Sequence, residues 1–216
     1  MILEKERVML ADAGRELLST GLTVATGGNL SLCKREEGLV AITPSGMDYR
    51  KLNPDDICVV DLQGKQVEGL RVPSTETSMH LMILREWTQY QSVAHTHSPY
   101  CTAFSILGES IPAVHYLIPL IGNEIPVADY ATTGTEAMGP PILRQMASSN
   151  TVLLRNHGLV AASTTLDKAL HLSRIAEYVA QSYYLARMLG APAPLPVEEL
   201  DNLRRQFNKY GQVKGG

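Results

Sequence analysis

Between Ile2 and Ser19 the apolar residues Leu3, Val8, Leu10, Ala11, Leu17 and Leu18 recur among charged ones at helical spacing, and Gly21 ends the run. The chain therefore opens on a helix. Leu30 to Cys33, Leu39 to Thr43 and Ile57 to Leu62 are short, rich in branched residues and bounded by Gly, Pro, Asn or Asp, which predicts strands. A helix capped by Ser74 or Thr75 runs to about Trp87. A strand ending at His95 follows, and Ser98-Pro99 has the form of an N-cap and first helical position. Thr151 to Asn156 and Leu159 to Ala162 read as two more strands. A long helix spans about Thr165 to Leu189, and after the linker Ala191-Pro-Ala-Pro-Leu-Pro a last helix covers about Val197 to Lys209. The fold class is mixed α/β, a sheet flanked by helices, with no internal repeat.

The strand before His95 makes the run Ser92-Val-Ala-His-Thr-His-Ser-Pro chemically informative. Side chains two apart on a strand share a face, so His95 and His97 can reach one ion. His157 follows another strand-like run, and Glu76 sits in Pro73-Ser-Thr-Glu-Thr. Three imidazoles, with or without that carboxylate, make an open zinc-type site. His80 lies four residues after Glu76 and can share its helix face, but it, His115 and His171 have no comparable company and are not counted among the ligands, and His171, on an amphipathic helix, reads as structural.

Size and charge narrow the class. A chain of 216 residues suits one domain with one sizeable core. Hydrophobic residues make up 44% and charged residues 19%, and 19 basic against 22 acidic side chains leave a formal charge of -3, without a basic stripe for nucleic acid. Cys33, Cys58 and Cys101 are widely spaced and form no CxxC, so a reducing cytoplasm is expected. No signal peptide and no apolar run of about 20 residues is present, so no membrane partner is expected.

Three further segments share one chemistry: Thr26-Gly-Gly-Asn29, Thr43-Pro-Ser-Gly46 and Ser74-Thr75. Each offers hydroxyls, an amide or free backbone N–H groups with little steric bulk, as turns and helix N-termini that hold phosphate do. Together they predict a phosphorylated small molecule as ligand.

Taken in order, Gly28-Asn29-Leu30-Ser31, Thr43-Pro44-Ser45-Gly46, Pro73-Ser74-Thr75-Glu76, His95-Thr96-His97 and His157-Gly158-Leu159 resemble the class II (zinc-dependent) aldolase and adducin family, nearest to its fuculose phosphate aldolases. Order and spacing match across nearly the whole chain. Ile111-Pro-Ala-Val-His-Tyr116 and Phe207-Asn-Lys-Tyr210-Gly resemble the segments in which those aldolases carry catalytic and substrate-lining tyrosines. The resemblance implies a central, largely antiparallel sheet flanked by helices. It implies Zn2+, or Mn2+ or Co2+, on His95, His97 and His157, with Glu76 as ligand in the resting site and as acid and base. Asn29, Ser45, Gly46, Ser74 and Thr75 would hold the phosphate, with Gly28 shaping that loop. Tyr116 would serve the aldehyde oxygen, and Tyr210 with Phe207 would close over the site from a mobile tail at about residues 208–216. It further implies a homotetramer with interfacial sites.

The implied reaction is reversible cleavage of a ketose 1-phosphate, of the L-fuculose or deoxypentulose kind, to dihydroxyacetone phosphate and a short aldehyde. Pentulose 5-phosphate 4-epimerases, sugar-phosphate dehydratases and decarboxylases share the frame, and an adducin-like binding module shares the fold without the histidines. In Asp129-Tyr-Ala-Thr-Thr133-Gly-Thr the family pattern has phenylalanine where Thr133 stands. A roomier, more polar aldehyde pocket is the expectation there, with metal and phosphate chemistry untouched.

Overall fold

The computed structural model describes residues 1–209. Its helices are α1 (Glu4–Ser19), α2 (Thr77–Glu86), α3 (Pro99–Leu107), α4 (Gly139–Met146), α5 (Leu166–Leu189) and α6 (Val197–Phe207). Its strands are β1 (Asn29–Lys34), β2 (Leu39–Ile42), β3 (Cys58–Asp61), β4 (Gln66–Glu68), β5 (Ser92–Thr96), β6 (Val127–Ala128), β7 (Thr151–Leu154) and β8 (Gly158–Ser163). The strands form one eight-stranded sheet in the order β4-β3-β2-β1-β5-β8-β7-β6. Every pairing is antiparallel except β6 with β7. The expected antiparallel sheet flanked by helices is present.

Alternation along the strands sorts the core into two layers. Cys33, Val40, Ile42, Val93, Val152 and Val160 pack under α2 and α4. Leu30, Leu32, Ala41, Val59 and Ala94 face α1 and the start of α5 on the other side. Leu153, Leu159 and Ala161 continue that second layer under α3 and α5. Leu10 and Leu17 of α1 are wholly buried, each worth about 1.5–3 kcal/mol of transfer free energy.

Two expected helix starts differ in detail. The residue at the N-cap of α2 is Glu76, not Ser74 or Thr75, and Glu76 makes no side-chain cap. Ser74 Oγ instead accepts the Glu76 N–H at 3.2 Å, a turn placed just ahead of the helix. Ser98 does occupy the N-cap of α3, but its hydroxyl caps nothing. Glu177 on α5 accepts the N–H groups of Tyr100 and Cys101, each at 2.9 Å, and so provides the negative charge that a helix N-terminus favours. Sequence patterning did not predict α4, β4 or β6. The helix α4 begins Gly-Pro-Pro, which reads as a breaker although proline is tolerated in a first turn.

Candidate active site

Strand parity aims the first histidine. Val93 packs under α2 and Ala94 under α1, so His95 projects with Val93 toward α2. In the β1–β5 register Asn29 lies opposite His95 and Ser31 opposite Val93. Asn29 and Ser31 therefore share that face with His95. His97 stands one residue past β5, its backbone N–H held by the Leu22 carbonyl at 3.0 Å. His157 rides the β7–β8 turn, where Asn156 takes a left-handed φ of 58°. A Cβ on the adjacent Gly158 would lie 2.3 Å from the Thr96 carbonyl oxygen, so only glycine lets β8 approach β5 here.

These elements bring His95, His97 and His157 together with one ligand nitrogen each within 4.8 Å of the others. His95 Nε2 lies 2.9 Å from His97 Nε2 and 3.3 Å from His157 Nε2. Glu76 joins them, its Oε2 3.3 Å from His95 Nε2 and its Oε1 3.5 Å from His157 Nε2. His95 Nδ1 sits 2.9 Å from the Leu159 carbonyl oxygen, which can only accept, so Nδ1 carries the proton and Nε2 presents a bare lone pair. A lone pair facing a carboxylate and two imidazole nitrogens is a donor set that a cation satisfies and that water alone serves poorly. The residues fit a divalent ion.

Burial pushes the His95 imidazole down to about 3, against the upward pull of Glu76. Burial also lowers His97. For Glu76, burial acts to raise the carboxyl, but His95, the Asn29 amide, His157 and the Thr133 hydroxyl outweigh it and hold it down to about 2. At neutral pH the site thus offers an ionised carboxylate beside His95 and His97 in neutral form, the state in which these groups ligate metal.

Each Glu76 oxygen has its own donor. Asn29 Nδ2 donates to Oε2 at 2.7 Å, and Thr133 Oγ1 donates to Oε1 at 2.8 Å. Behind Asn29, His80 Nε2 lies 2.5 Å from Asn29 Oδ1, and Ser31 Oγ lies 2.7 Å from His80 Nδ1. Two sequence expectations are corrected here. Thr133 does not leave the metal chemistry untouched, because its hydroxyl grips Glu76. Asn29 is not only a phosphate-side residue, because its amide is committed to the same carboxylate. His80, which the sequence reading did not count among the ligands, belongs to the network behind Glu76. Its signal was present in the four-residue step from Glu76, combined with the two-residue step from Asn29 to Ser31 on the facing strand.

The three hydroxyl- and glycine-rich segments meet in one pocket of about 280 Å³ that also reaches Glu76, His97, Thr133 and His157. Gly28, Asn29, Ser45, Gly46, Ser74 and Thr75 all line it, and among the described residues no lysine or arginine does. A short bridge between Pro44 and Pro73 draws two of the segments together. Gly28 takes φ of 70°, and a Cβ there would lie 2.6 Å from the His95 carbonyl oxygen. Its carbonyl in turn accepts the Tyr49 hydroxyl at 2.7 Å, which pins the loop from beneath.

Tyr116 and Phe207 do not join this pocket within the same chain. Tyr116 is 53% exposed and stacks on Phe207 with ring centroids 6.2 Å apart. The neighbouring Val114, Ile118 and Ile121 pack with α3 and α5, on the sheet face opposite to the one that His95 uses. Neither Tyr116 nor Phe207 therefore reaches the pocket of its own chain. Tyr210 lies outside the described residues.

Residues 8–184 match the family described as Class II Aldolase and Adducin N-terminal domain. The chain is 41% identical over 212 residues to a 5-deoxy-D-ribulose 1-phosphate aldolase of Bacillus thuringiensis serovar kurstaki, covering 98% of this chain and 100% of that one. It is 37% identical over 204 residues to the L-fuculose phosphate aldolase of Escherichia coli K12, covering 94% of each. A solved L-fuculose 1-phosphate aldolase superposes with a TM-score of 0.93 at 38% identity, over 96% of this chain and 98% of that one. Given this agreement over nearly its full length, the chain belongs to the class II aldolase and adducin family.

Proposed function

We infer that this chain is a metal-dependent aldolase that cleaves a ketose 1-phosphate to dihydroxyacetone phosphate and a short aldehyde, and that 5-deoxyribulose 1-phosphate is among its substrates. The observation that carries the reading is the junction of a three-histidine, one-carboxylate cluster with an uncharged hydroxyl- and glycine-lined pocket. The pentulose substrate is supported by the relative named a 5-deoxy-D-ribulose 1-phosphate aldolase. An adducin-like binding role needs none of the three histidines that converge here.

A divalent ion, Zn2+ or else Mn2+ or Co2+, held by His95, His97 and His157 with Glu76 would supply Lewis-acid polarisation of the substrate's carbonyl and hydroxyl oxygens. The chain's own groups do the rest. Ser45, Ser74 and Thr75 hydroxyls, with backbone N–H groups at Gly28 and Gly46, position the phosphate without bringing a cation that would compete for Glu76. In the condensation direction Glu76 takes a proton from C3 of dihydroxyacetone phosphate, which needs the carboxylate form that the site favours. In cleavage the same oxygen returns that proton.

Removal of the C4 hydroxyl proton falls to Tyr116 from a neighbouring copy, with Phe207 and Tyr210 lining the same side. The support is the position of Tyr116 and Phe207 away from their own chain's pocket. Apolar side chains left exposed, among them Leu107 and Met188 beside a groove of about 430 Å³ between α3 and α5, support assembly into a homotetramer with shared sites. No described helix is long and apolar enough to cross a membrane. That fact and the unpaired cysteines support a cytoplasmic location.

The test is a product assay of the purified protein on fuculose, rhamnulose, ribulose and 5-deoxyribulose 1-phosphates. Release of aldehyde and dihydroxyacetone phosphate is expected, with 5-deoxyribulose 1-phosphate cleaved. Isomerised or dehydrated product without aldehyde would move the assignment to a different reaction of the family.

A further inference from the structure

We propose that His80 is a positioning residue of the active site: by fixing the Asn29 side-chain amide, its buried imidazole sets where Glu76 Oε2 stands. The inference rests on the aldolase reading for the step it serves, but the relay itself is a matter of geometry.

The four groups form a single file, Ser31 Oγ to His80 Nδ1 at 2.7 Å, His80 Nε2 to Asn29 Oδ1 at 2.5 Å, and Asn29 Nδ2 to Glu76 Oε2 at 2.7 Å. Ser31 and His80 are fully buried, and Asn29 and Glu76 are each 5% exposed. The polarity of the file follows from its end. An ionised Glu76 can only accept, so Asn29 must present its NH2 group to it and its oxygen to His80. An amide oxygen can only accept, so His80 carries its proton on Nε2. Its Nδ1 is then bare and accepts a hydrogen bond from the Ser31 hydroxyl.

Reversing the amide would set two acceptors against each other at 2.7 Å, and only the imidazole N–H opposes that reversal on the inner side. The spacing also suits the fold. Asn29 and Ser31 are two residues apart on a strand, about 6.6 Å, while Glu76 and His80 are four apart along a helix start, about 6 Å. The two pairs lie side by side like rungs. Thr133, which holds the other Glu76 oxygen, comes from an exposed loop, so the inner file is the buried half of the grip.

The test compares His80→Leu with His80→Gln, whose amide N–H can reach the Asn29 oxygen. The readout is deuterium exchange at C3 of dihydroxyacetone phosphate in deuterium oxide, which reports the Glu76 step without an aldehyde or a tyrosine. In His80→Leu exchange and kcat should fall together by roughly 10- to 100-fold with metal content unchanged, as when a group that orients a metal-site residue is lost. His80→Gln should keep most of the exchange rate. A metal-loaded His80→Leu that exchanges at the unmodified rate overturns the proposal, as does a His80→Gln that is slowed as much as His80→Leu. Should His80→Leu not fold, nitrogen-15 NMR of the unmodified protein decides. A neutral His80 with its proton on Nε2 is expected, and a proton on Nδ1 overturns the relay. Absence of exchange in the unmodified protein would instead contradict the aldolase reading, leaving the relay to the NMR result.

Discussion

Thr133 donates its hydroxyl to Glu76 Oε1 at 2.8 Å, so a loop residue touches the carboxylate at the centre of the site. Removing that hydrogen bond without changing size, in Thr133→Val, leaves the anion less stabilised and its pKa higher. The acidic limb of the kcat/KM profile should therefore move to higher pH, with kcat reduced by up to about tenfold. Steady-state rates across pH check this.

The same residue bears on the aldehyde. A phenylalanine at this position would add a ring burying roughly 150 Å² or more, and it could not bond Glu76. In the unmodified enzyme a methyl-sized difference between aldehydes should be worth only about 1–3 kcal/mol. Lactaldehyde, glycolaldehyde and acetaldehyde should thus condense at comparable efficiency. Thr133→Phe should narrow that range and also slow every aldehyde. Specificity constants for the series in both proteins are the measurement, and an unchanged ranking would remove Thr133 from the pocket.

Glu76→Gln should lower turnover by roughly 100-fold or more, as expected for loss of an acid–base group. The three histidines should still retain metal. Asn29→Leu should raise KM through the phosphate and also lower kcat, because its amide holds Glu76 Oε2. Steady-state kinetics with metal analysis of each variant separate the two roles.

Much of this site was legible in the sequence, for identifiable reasons. His95 and His97 declared themselves through strand alternation, and His157 through the turn after an apolar run. The glycine and hydroxyl turns were visible as loops, but their meeting in one pocket depends on the β1–β5 register and the Pro44–Pro73 bridge, which no local pattern encodes. The contacts Ser31–His80 and Asn29–His80 span 49 and 51 residues, and Thr133–Glu76 spans 57. Such pairs are set by how α2 docks on the sheet. Likewise α1 and α5 were clear from helical spacing and their ends, whereas β4 is three largely exposed residues and offers too little periodicity to read. The N-cap of α3 was placed correctly, but Glu177 reaches it from 76 and 77 residues away.

Acid should destabilise the metal-free protein in two stages. Burial holds His80 down at about 4, below its ordinary 6.5. Between those values the unfolded chain binds a proton that the folded one does not, so this contribution is full above about pH 6.5 and is lost as pH falls toward 4. Its size is about 3 kcal/mol. Glu76, depressed to about 2, adds stability above its ordinary value near 4.5 that disappears at lower pH. Urea melts of chelated protein should show stability falling through the first window, to which His95 and His97, also held low by burial, contribute, and His80→Gln should lessen that slope without abolishing it.

The central claim is that the three-histidine site holds a divalent ion required to cleave a ketose 1-phosphate. The direct measurement is dihydroxyacetone phosphate release from 5-deoxyribulose 1-phosphate by the purified protein, before chelation, after chelation and after return of Zn2+, Mn2+ or Co2+. About one ion per chain is expected, with cleavage abolished by its removal, restored by its return, and absent throughout in His95→Ala. Undiminished cleavage by metal-free protein, or by His95→Ala, would contradict the account.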